Sequence, residues 1–100
     1  MAAFLMLRIR ITDPERWAAY RNAVMPLIRQ FGGRHLPKGA VELEGEGDMT
    51  AALFEFASVE QIEVFWNSPE YAAVRELRRG AASLEAWAIP ATSDERTARE

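Results

Sequence analysis

The sequence contains no cysteine and only one histidine, His35. Without cysteine the chain can form no disulfide and offers no thiolate to a metal ion. A single histidine likewise excludes a cluster of imidazole ligands. We therefore predict no metal site and no bound cofactor.

Positive charge is also scarce. The chain has 12 lysines and arginines against 15 acidic residues, which gives a net charge of −3. Nucleic-acid-binding domains usually carry a basic excess, so we expect no nucleic-acid partner. One small basic cluster exists, Arg75, Arg78 and Arg79, and we attribute it to the helix dipole, which favours cations in a last turn.

A long apolar run is missing as well. The chain opens with mostly apolar residues, but this stretch ends at Leu7, no basic segment precedes it, and Arg8 and Arg10 follow. A secretory signal begins with basic residues, and a membrane-spanning helix needs about 20 apolar ones. We therefore expect a soluble cytoplasmic protein with no membrane partner.

Four segments have the apolar pattern of β-strands, in which successive side chains point to opposite faces. The predicted strands cover residues 4–11, 34–44, 50–57 and 83–89. Pro37 indicates that the second strand lies at an edge or contains a bulge, because proline cannot donate to a sheet. The short polar segment 45–48 predicts a tight antiparallel hairpin between the second and third strands.

Between the first two strands, large apolar side chains recur every three or four positions, which indicates a helix with one buried side. Two starts are open: Asp13 caps the helix before Pro14, or Thr12 and Glu15 form a capping box. We expect the Gly32–Gly33 pair to end the helix, with one glycine in the left-handed conformation.

The second helical segment is interrupted. Ser58 and Gln61 fit a capping box that starts one short helix, and Pro69 is a favoured first residue for another. Between them the chain turns through a polar corner. This corner carries the richest cluster of candidate ligand contacts, Trp66, Asn67, Ser68 and Tyr71.

The predicted order is strand, helix, strand, strand, helix, strand. Two split β-α-β units of this kind fold into one antiparallel sheet with both helices on one face, the ferredoxin-like arrangement of the α+β class. We assign residues 1–90 to a single domain of this fold. Residues 91–100 contain no large apolar side chain and are predicted to form a polar C-terminal tail.

The sheet face opposite the helices is predicted to present apolar side chains that need cover, and such a patch usually marks an interface. We therefore predict a homodimer packed sheet to sheet. The predicted dimer face carries Met6, Arg8, Leu53 and Glu55, with Phe4 and Trp87 beside them. Arg8 and Glu55 are expected to pair across neighbouring strands, either as a structural ion pair or to orient a polar ligand.

Several short motifs together resemble one known family. They are Phe31-Gly32-Gly33-Arg34 after a helix with Tyr20 and Pro26, then Leu43-Glu44-Gly45, Phe54-Glu55-Phe56, the run from Trp66 to Tyr71, and Arg75. Over about residues 7–89 the chain is similar to the domain-of-unknown-function 1330 family, a branch of the dimeric α+β barrel superfamily. The resemblance implies a ferredoxin-like protomer, a sheet-to-sheet dimer, and relatives that include cofactor-free enzymes.

We predict a ligand pocket where the end of the first helix approaches the polar corner. Arg34 and Tyr71 are its expected polar anchors, since Arg34 suits a carboxylate and Tyr71 offers a ring and a hydroxyl. The other expected contacts are Tyr20, Trp66, Asn67 and Ser68. Each has a structural alternative: an ion pair for the arginine, core packing for the aromatic residues, and helix capping or termination for the two polar ones.

Two functions stay open. The first is a cofactor-free enzyme, of the oxygenase or isomerase type, that acts on a small acidic or aromatic metabolite, with His35 as candidate catalytic base. The second is a noncatalytic dimer that binds a metabolite or a protein, in which His35 is a half-buried strand residue. The convergence of polar groups around His35 and the corner favours the first.

Overall fold

The computed structural model describes residues 2–36 and 41–90. In order, its elements are β1 (Ala3–Ile11), α1 (Pro14–Gln30), β2 (Arg34–His35), β3 (Thr50–Phe56), α2 (Val59–Trp66), α3 (Pro69–Arg75), a 3₁₀ turn (Glu76–Arg78) and β4 (Ala82–Pro90). The predicted tail at 91–100 and residues 37–40 of the predicted second strand lie outside the described residues.

The strands form an antiparallel sheet in the order β2-β3-β1-β4. β1 lies at its centre, where Leu5 is opposite Phe54 on one side and Ala88 on the other. Leu5, Leu7 and Ile9 alternate along β1 and are buried. With the helices packed over that face, the fold is ferredoxin-like, as the predicted order of elements requires.

The first helix begins and ends on local signals. Asp13 caps α1, because its Oδ1 accepts a hydrogen bond of 3.2 Å from the backbone N–H of Arg16. This settles the choice between the two starts against the Thr12–Glu15 box. At the other end Gly32 has φ 89°, the left-handed conformation that glycine adopts with little strain.

The second helix uses half of its predicted capping box. Ser58 Oγ accepts from the backbone N–H of Gln61 at 3.0 Å. The Gln61 side chain, however, donates through Nε2 to the carbonyl oxygen of Phe31 at 2.9 Å. That bond ties the start of α2 to the residue that follows α1, so the side chain expected to serve its own helix connects two elements instead.

The core lies between the helices and the sheet, and Phe56, Phe65 and Tyr71 are its largest fully buried side chains. The exit from α1 passes very close to this core. A Cβ atom built on Gly33 would lie 2.5 Å from Cζ of Phe56 and 2.8 Å from a methyl carbon of Ile28. Glycine therefore allows the backbone after α1 to approach β3 closely.

The second strand is much shorter than predicted. β2 consists of Arg34–His35 alone, and the described residues 41–49 contain no strand. Val41 and Leu43 are 84% and 95% exposed, so the part of the second strand predicted from their alternation is wrong, and so is the tight hairpin predicted from segment 45–48. An alternating pattern forms a strand only where one of its two faces packs against another surface. Neither Val41 nor Leu43 is packed in this way.

The predicted ion pair between Arg8 and Glu55 does not form. The strand register places Arg8 opposite Glu85 of β4, and its Nη1 lies 3.2 Å from Oε1 of that residue. Met6 and Leu53 are direct cross-strand neighbours. Since side chains alternate along a strand, all four predicted dimer-face residues lie on the sheet face away from the helices.

Candidate functional site

A cavity of about 250 Å³ lies between α1 and the sheet. Aliphatic side chains of β1, including Leu5 and Leu7, line its sheet side. Its other walls are largely aromatic and comprise Trp17, Tyr20, Phe54, Phe65, Trp66 and Tyr71. The polar side chains of this lining belong to the two tyrosines, His35, Arg21 and Thr50. The cavity thus combines an apolar interior with a few polar groups, as ligand sites usually do.

The two tyrosine hydroxyls meet in the wall of the cavity. Oη of Tyr20 and Oη of Tyr71 lie 2.8 Å apart, within hydrogen-bond distance, and both side chains are buried. Their rings stand edge to face, with centroids 6.5 Å apart. Because Tyr20 belongs to α1 and Tyr71 to α3, this bond joins two walls of the cavity.

Tyr71 owes its position to the cap of α3. Ser68 Oγ accepts from the backbone N–H of Tyr71 at 3.0 Å and donates to the carbonyl oxygen of Phe65 at 2.8 Å. Pro69 then supplies the first helical residue. Ser68 therefore acts as a structural cap that turns the chain between the two short helices and directs Tyr71 into the core.

The environment of Tyr20 favours its neutral form. Burial raises the pKa of the Tyr20 phenol well above its ordinary value, and the adjacent Tyr71 hydroxyl adds to the rise. Arg78 acts in the opposite direction, since its positive charge favours the ionised phenol. Burial dominates, so the Tyr20 hydroxyl keeps its proton at neutral pH and can donate it in a hydrogen bond.

Two arginines lie against these aromatic rings. The guanidinium carbon of Arg75 is 4.8 Å from the ring centroid of Tyr71 and 5.3 Å from that of Trp66, and the same atom of Arg78 is 5.9 Å from Tyr20. Arg75 also donates to the carbonyl oxygen of Trp66 at 2.8 Å. Within the described residues, Nε of each arginine is buried without a hydrogen-bond partner. Each tyrosine ring of the hydroxyl pair therefore has a guanidinium close to it.

Arg75 and Arg78 lie in the last turns of α3 and of the 3₁₀ turn, as the helix-dipole interpretation expects, and Arg79 follows them and pairs with Glu76 at 2.9 Å. That interpretation leaves out the contacts that Arg75 and Arg78 make with the tyrosine rings. Tyr71, Arg75 and Arg78 follow one another at spacings of four and three residues, which places them on one helical face. This spacing is the sequence signal that identifies Arg75 and Arg78 as neighbours of the aromatic site.

His35 lies at the sheet edge, on the side that faces the cavity. It is opposite Phe54 in the strand register, and the two rings stack with their centroids 4.9 Å apart. The side chain is half-buried and lines the same cavity as Tyr20 and Tyr71. The structure therefore places the candidate base and the hydroxyl pair in the lining of one cavity.

Arg34 lies outside this cavity. Its side chain is 70% exposed and pairs with Glu55, with 2.8 Å between Nε and Oε1. It lines a separate shallow depression beside Gly32. The expectation that Arg34 and Tyr71 anchor one pocket is therefore corrected. Neighbouring residues of a strand point to opposite faces, so β2 can present His35 or Arg34 to the cavity but not both.

Asn67 does not reach the cavity either. It is exposed, and its Nδ2 donates to the carbonyl oxygen of Glu63 at 3.0 Å, which satisfies the end of α2. Of the predicted ligand contacts, the cavity lining contains Tyr20, Trp66 and Tyr71. The polar corner thus contributes its aromatic members to the site, while its two short polar side chains shape the backbone.

Within residues 2–36 and 41–90, no three histidine or acidic side chains are grouped closely enough to hold a metal ion. In the same part of the chain, no helix has both the length and the apolar character needed to cross a membrane.

Comparison with protein families gives one match. The model of a family described as a domain of unknown function, DUF1330, matches residues 2–92. No curated protein matches the chain significantly.

Solved structures share the fold across nearly the whole chain. A protein of unknown function from Rhodopseudomonas palustris is 20% identical, with a TM-score of 0.64 over 93% of this chain and 85% of that one. SnoaB, a cofactor-independent oxygenase from Streptomyces nogalater, is 12% identical, with a TM-score of 0.69 over 93% and 95%. A dimeric protein of unknown function from Bacteroides fragilis is 13% identical, with a TM-score of 0.57 over 90% and 96%. The last of these is described as ferredoxin-like, and the likeness extends to the fold alone.

Proposed function

Because the chain belongs to the DUF1330 family and shares its fold with an oxygenase that needs no cofactor, we propose that it is a cofactor-free enzyme of the oxygenase or isomerase type. Its substrate is an aromatic metabolite of one or two rings, bound between α1 and the sheet. The observation that carries this proposal is a largely aromatic cavity with one imidazole and two buried hydroxyls in its walls.

The volume of the cavity limits the size of the ligand. A cavity of about 150 Å³ with apolar walls holds one benzene ring, and sites for drug-sized ligands begin at roughly 300 Å³. A volume of about 250 Å³ therefore suits a single ring with substituents or two fused rings. The aromatic side chains in the wall favour flat ligands, whose ring faces and edges they can contact.

The groups in the lining suit proton removal from carbon. In the proposed reaction His35 takes a proton from a carbon next to a carbonyl group, and the electron pair left behind moves onto the carbonyl oxygen. Return of the proton to another carbon completes an isomerisation. Alternatively the carbon of the anion bonds to dioxygen, which is reduced to a peroxide as the carbon is oxidised, and the peroxide takes up the proton held by His35.

An aromatic substrate is better supported than an acidic one. Arg34, the arginine expected to bind a carboxylate, is paired with Glu55 outside the cavity. Arg21 does line the cavity but is exposed, so a carboxylate would meet it near solvent rather than among the rings. A carboxyl group is therefore optional in the proposed substrate.

The active form is proposed to be a homodimer packed through the outer sheet face. Phe4, Met6 and Leu53 are only half-buried there, while Trp87 and Ile89 remain 43% and 39% exposed. These side chains adjoin across β3, β1 and β4 and form a continuous apolar surface. A second copy of the chain can cover this apolar surface, because the same surface on each partner packs against itself about a two-fold axis.

The catalytic proposal is tested with 2-tetralone, a two-ring ketone with an acidic carbon–hydrogen bond between its ring and its carbonyl group. In deuterated buffer the protein should speed the exchange of that hydrogen, followed by NMR. His35→Gln should lower the protein-catalysed rate by about a hundredfold or more, the usual contribution of a general base. Arg34→Gln is the matched control on the same strand and should keep the wild-type rate.

Oxygen consumption in the same mixture separates the two enzyme types, since only the oxygenase uses dioxygen. A ligand that binds in the cavity but exchanges no faster than in buffer would favour the noncatalytic alternative, a metabolite-binding dimer. Exchange that is catalysed equally well by His35→Gln would remove His35 from the mechanism.

A further inference from the structure

The hydroxyl pair of Tyr20 and Tyr71 has one proton for which residues 2–36 and 41–90 show no acceptor. Each hydroxyl can donate one hydrogen bond, and the contact of 2.8 Å between them consumes one of the two protons. Among the described residues, the one other side chain that interacts with either oxygen through a hydrogen bond is Arg78, beside Tyr20, and a guanidinium donates but cannot take a proton. The second proton therefore has no acceptor among the described residues, and a ligand in the cavity can supply one, because a buried donor left unpaired is costly.

The neighbours of the pair cannot supply that acceptor. Arg75 and Arg78 lie against the two tyrosine rings, and a guanidinium has donors only. Aromatic rings also pack against the pair, among them Phe65, whose centroid is 4.8 Å from that of Tyr71. The pair is thus enclosed by donors and apolar surface, a setting that is complementary to a negatively charged oxygen.

Burial indicates which hydroxyl faces the ligand. Both tyrosines line the cavity over the sheet, but Tyr71 has 0% of its surface exposed and Tyr20 retains 4%. Either hydroxyl can donate within the pair, and we assign the more buried Tyr71 as the rear member, which donates to Tyr20, and Tyr20 as the front member, which donates to the ligand. The rear bond polarises the front hydroxyl and strengthens its donation.

The geometry points to the Tyr20–Tyr71 pair as an oxygen-binding site that selects aromatic ligands carrying an anionic oxygen, namely phenolates and the enolates of aromatic ketones. This inference rests on the proposed function, because it assumes that the cavity between α1 and the sheet is the ligand site. It adds the chemical class of the ligand and its orientation, with the oxygen at the Tyr20 hydroxyl. The positive charges of Arg75 and Arg78, which lie against the tyrosine rings, also favour the anionic form of the ligand.

The test compares 2-naphthol with naphthalene, which has the same rings but no oxygen. Absorbance distinguishes naphtholate from neutral naphthol, so it reports the pH at which the bound ligand ionises. With the wild-type protein, ionisation should occur at a lower pH than for free 2-naphthol, because the site favours the anion. This measurement needs no variant and therefore does not depend on whether a substituted protein folds.

Variants then locate the effect. Tyr20→Phe should abolish the shift in ligand ionisation and weaken naphtholate binding by about tenfold or more, the usual effect of a lost hydrogen bond to a charged group. Tyr71→Phe should weaken it less, since its hydroxyl lies behind. Naphthalene, measured by equilibrium dialysis, should bind both variants within about twofold of wild type, because its contacts are only apolar.

The outcomes separate the two proposals. If naphthalene binds but 2-naphthol ionises as it does in free solution, the oxygen site is wrong and the aromatic cavity stands. Equal naphtholate affinity in wild type and Tyr20→Phe would likewise overturn the oxygen site. If neither compound binds the wild-type protein, the ligand site fails, and the inference built on it fails too.

Discussion

The hydroxyl oxygens of Tyr20 and Tyr71 lie 2.8 Å apart although 51 positions separate the two residues in the chain. The sequence contains no other tyrosine. Their contact joins the middle of α1 to the first turn of α3, beside the cavity that holds His35. The same bond therefore bears on the stability of the fold and on the chemistry of the site, and the two roles can be measured separately.

The first prediction concerns stability. Tyr20→Phe and Tyr71→Phe each leave the other hydroxyl buried without its partner, so each should lower the free energy of unfolding by about 1–3 kcal/mol. The double variant removes both groups and should cost less than the sum of the single changes. Urea unfolding of the four proteins gives the coupling energy directly. Strictly additive effects would show that the hydroxyls do not interact.

The second prediction concerns alkaline pH. The pKa of Tyr20 is raised in the folded state, mainly by burial. The unfolded chain releases this proton near the ordinary tyrosine value of about 10, while the folded chain retains it. Above that pH the unfolded state binds fewer protons, so the free energy of unfolding falls as pH rises, whereas below it the contribution is complete.

Urea midpoints measured from neutral pH upward, on wild type and on Tyr20→Phe, check this. The wild-type midpoint should fall more steeply above about pH 10. Parallel curves for the two proteins would mean that Tyr20 titrates alike in the folded and unfolded states. In Tyr71→Phe, where Tyr20 is the remaining tyrosine, tyrosinate absorbance follows the ionisation of Tyr20 alone and should still appear above the ordinary value.

The third prediction separates Arg34 from Arg75. Arg34 is 70% exposed in its pair with Glu55, and exposed ion pairs contribute roughly 0–1 kcal/mol. Arg34→Gln should therefore change stability little and leave naphtholate binding unchanged. Arg75→Gln makes the same chemical change beside the rings and loses the bond to the Trp66 carbonyl oxygen. It should weaken both stability and naphtholate binding, and equal binding by the two variants would contradict the assignment.

Local sequence signals predicted most of the backbone. Asp13, Ser58 and Ser68 cap helices through bonds to residues three positions ahead, so their partners lie within the same short segment. Such signals depend little on the rest of the fold. The alternation of Val41 and Leu43 is equally local, yet it gave a wrong strand, because a strand also needs an edge to pair with and a surface to cover.

The site was harder to predict, because it depends on contacts between distant segments. Tyr20, Trp66 and Tyr71 were identified as candidates, but nothing local indicates that two of their hydroxyls meet. Arg34 was misplaced because its partner was sought in a ligand, while Glu55 lies directly opposite it in the register. Pairing register is set by the whole sheet, and it decides which of two neighbouring residues reaches a cavity.

The last prediction concerns assembly. The outer sheet face exposes the apolar side chains Trp87 and Ile89. On the same face Arg8 and Glu85 form an ion pair. A second copy can therefore cover the apolar side chains without burying an unpaired charge. Sedimentation should give twice the chain mass of 11.3 kDa.

Trp87→Glu places a charge within the proposed interface and should yield a monomer, because an unpaired carboxylate is costly to bury. Val64→Glu is the matched control. Val64 is 55% exposed on α2, on the opposite side of the sheet, and its replacement should leave the dimer intact. Burial of Trp87 in the dimer should also shift the summed emission of the three tryptophans to shorter wavelength than in a protein diluted below its dissociation constant. A wild-type protein that sediments as a monomer at micromolar concentration would contradict the dimer, and a Trp87→Glu variant that remains dimeric would contradict its proposed interface.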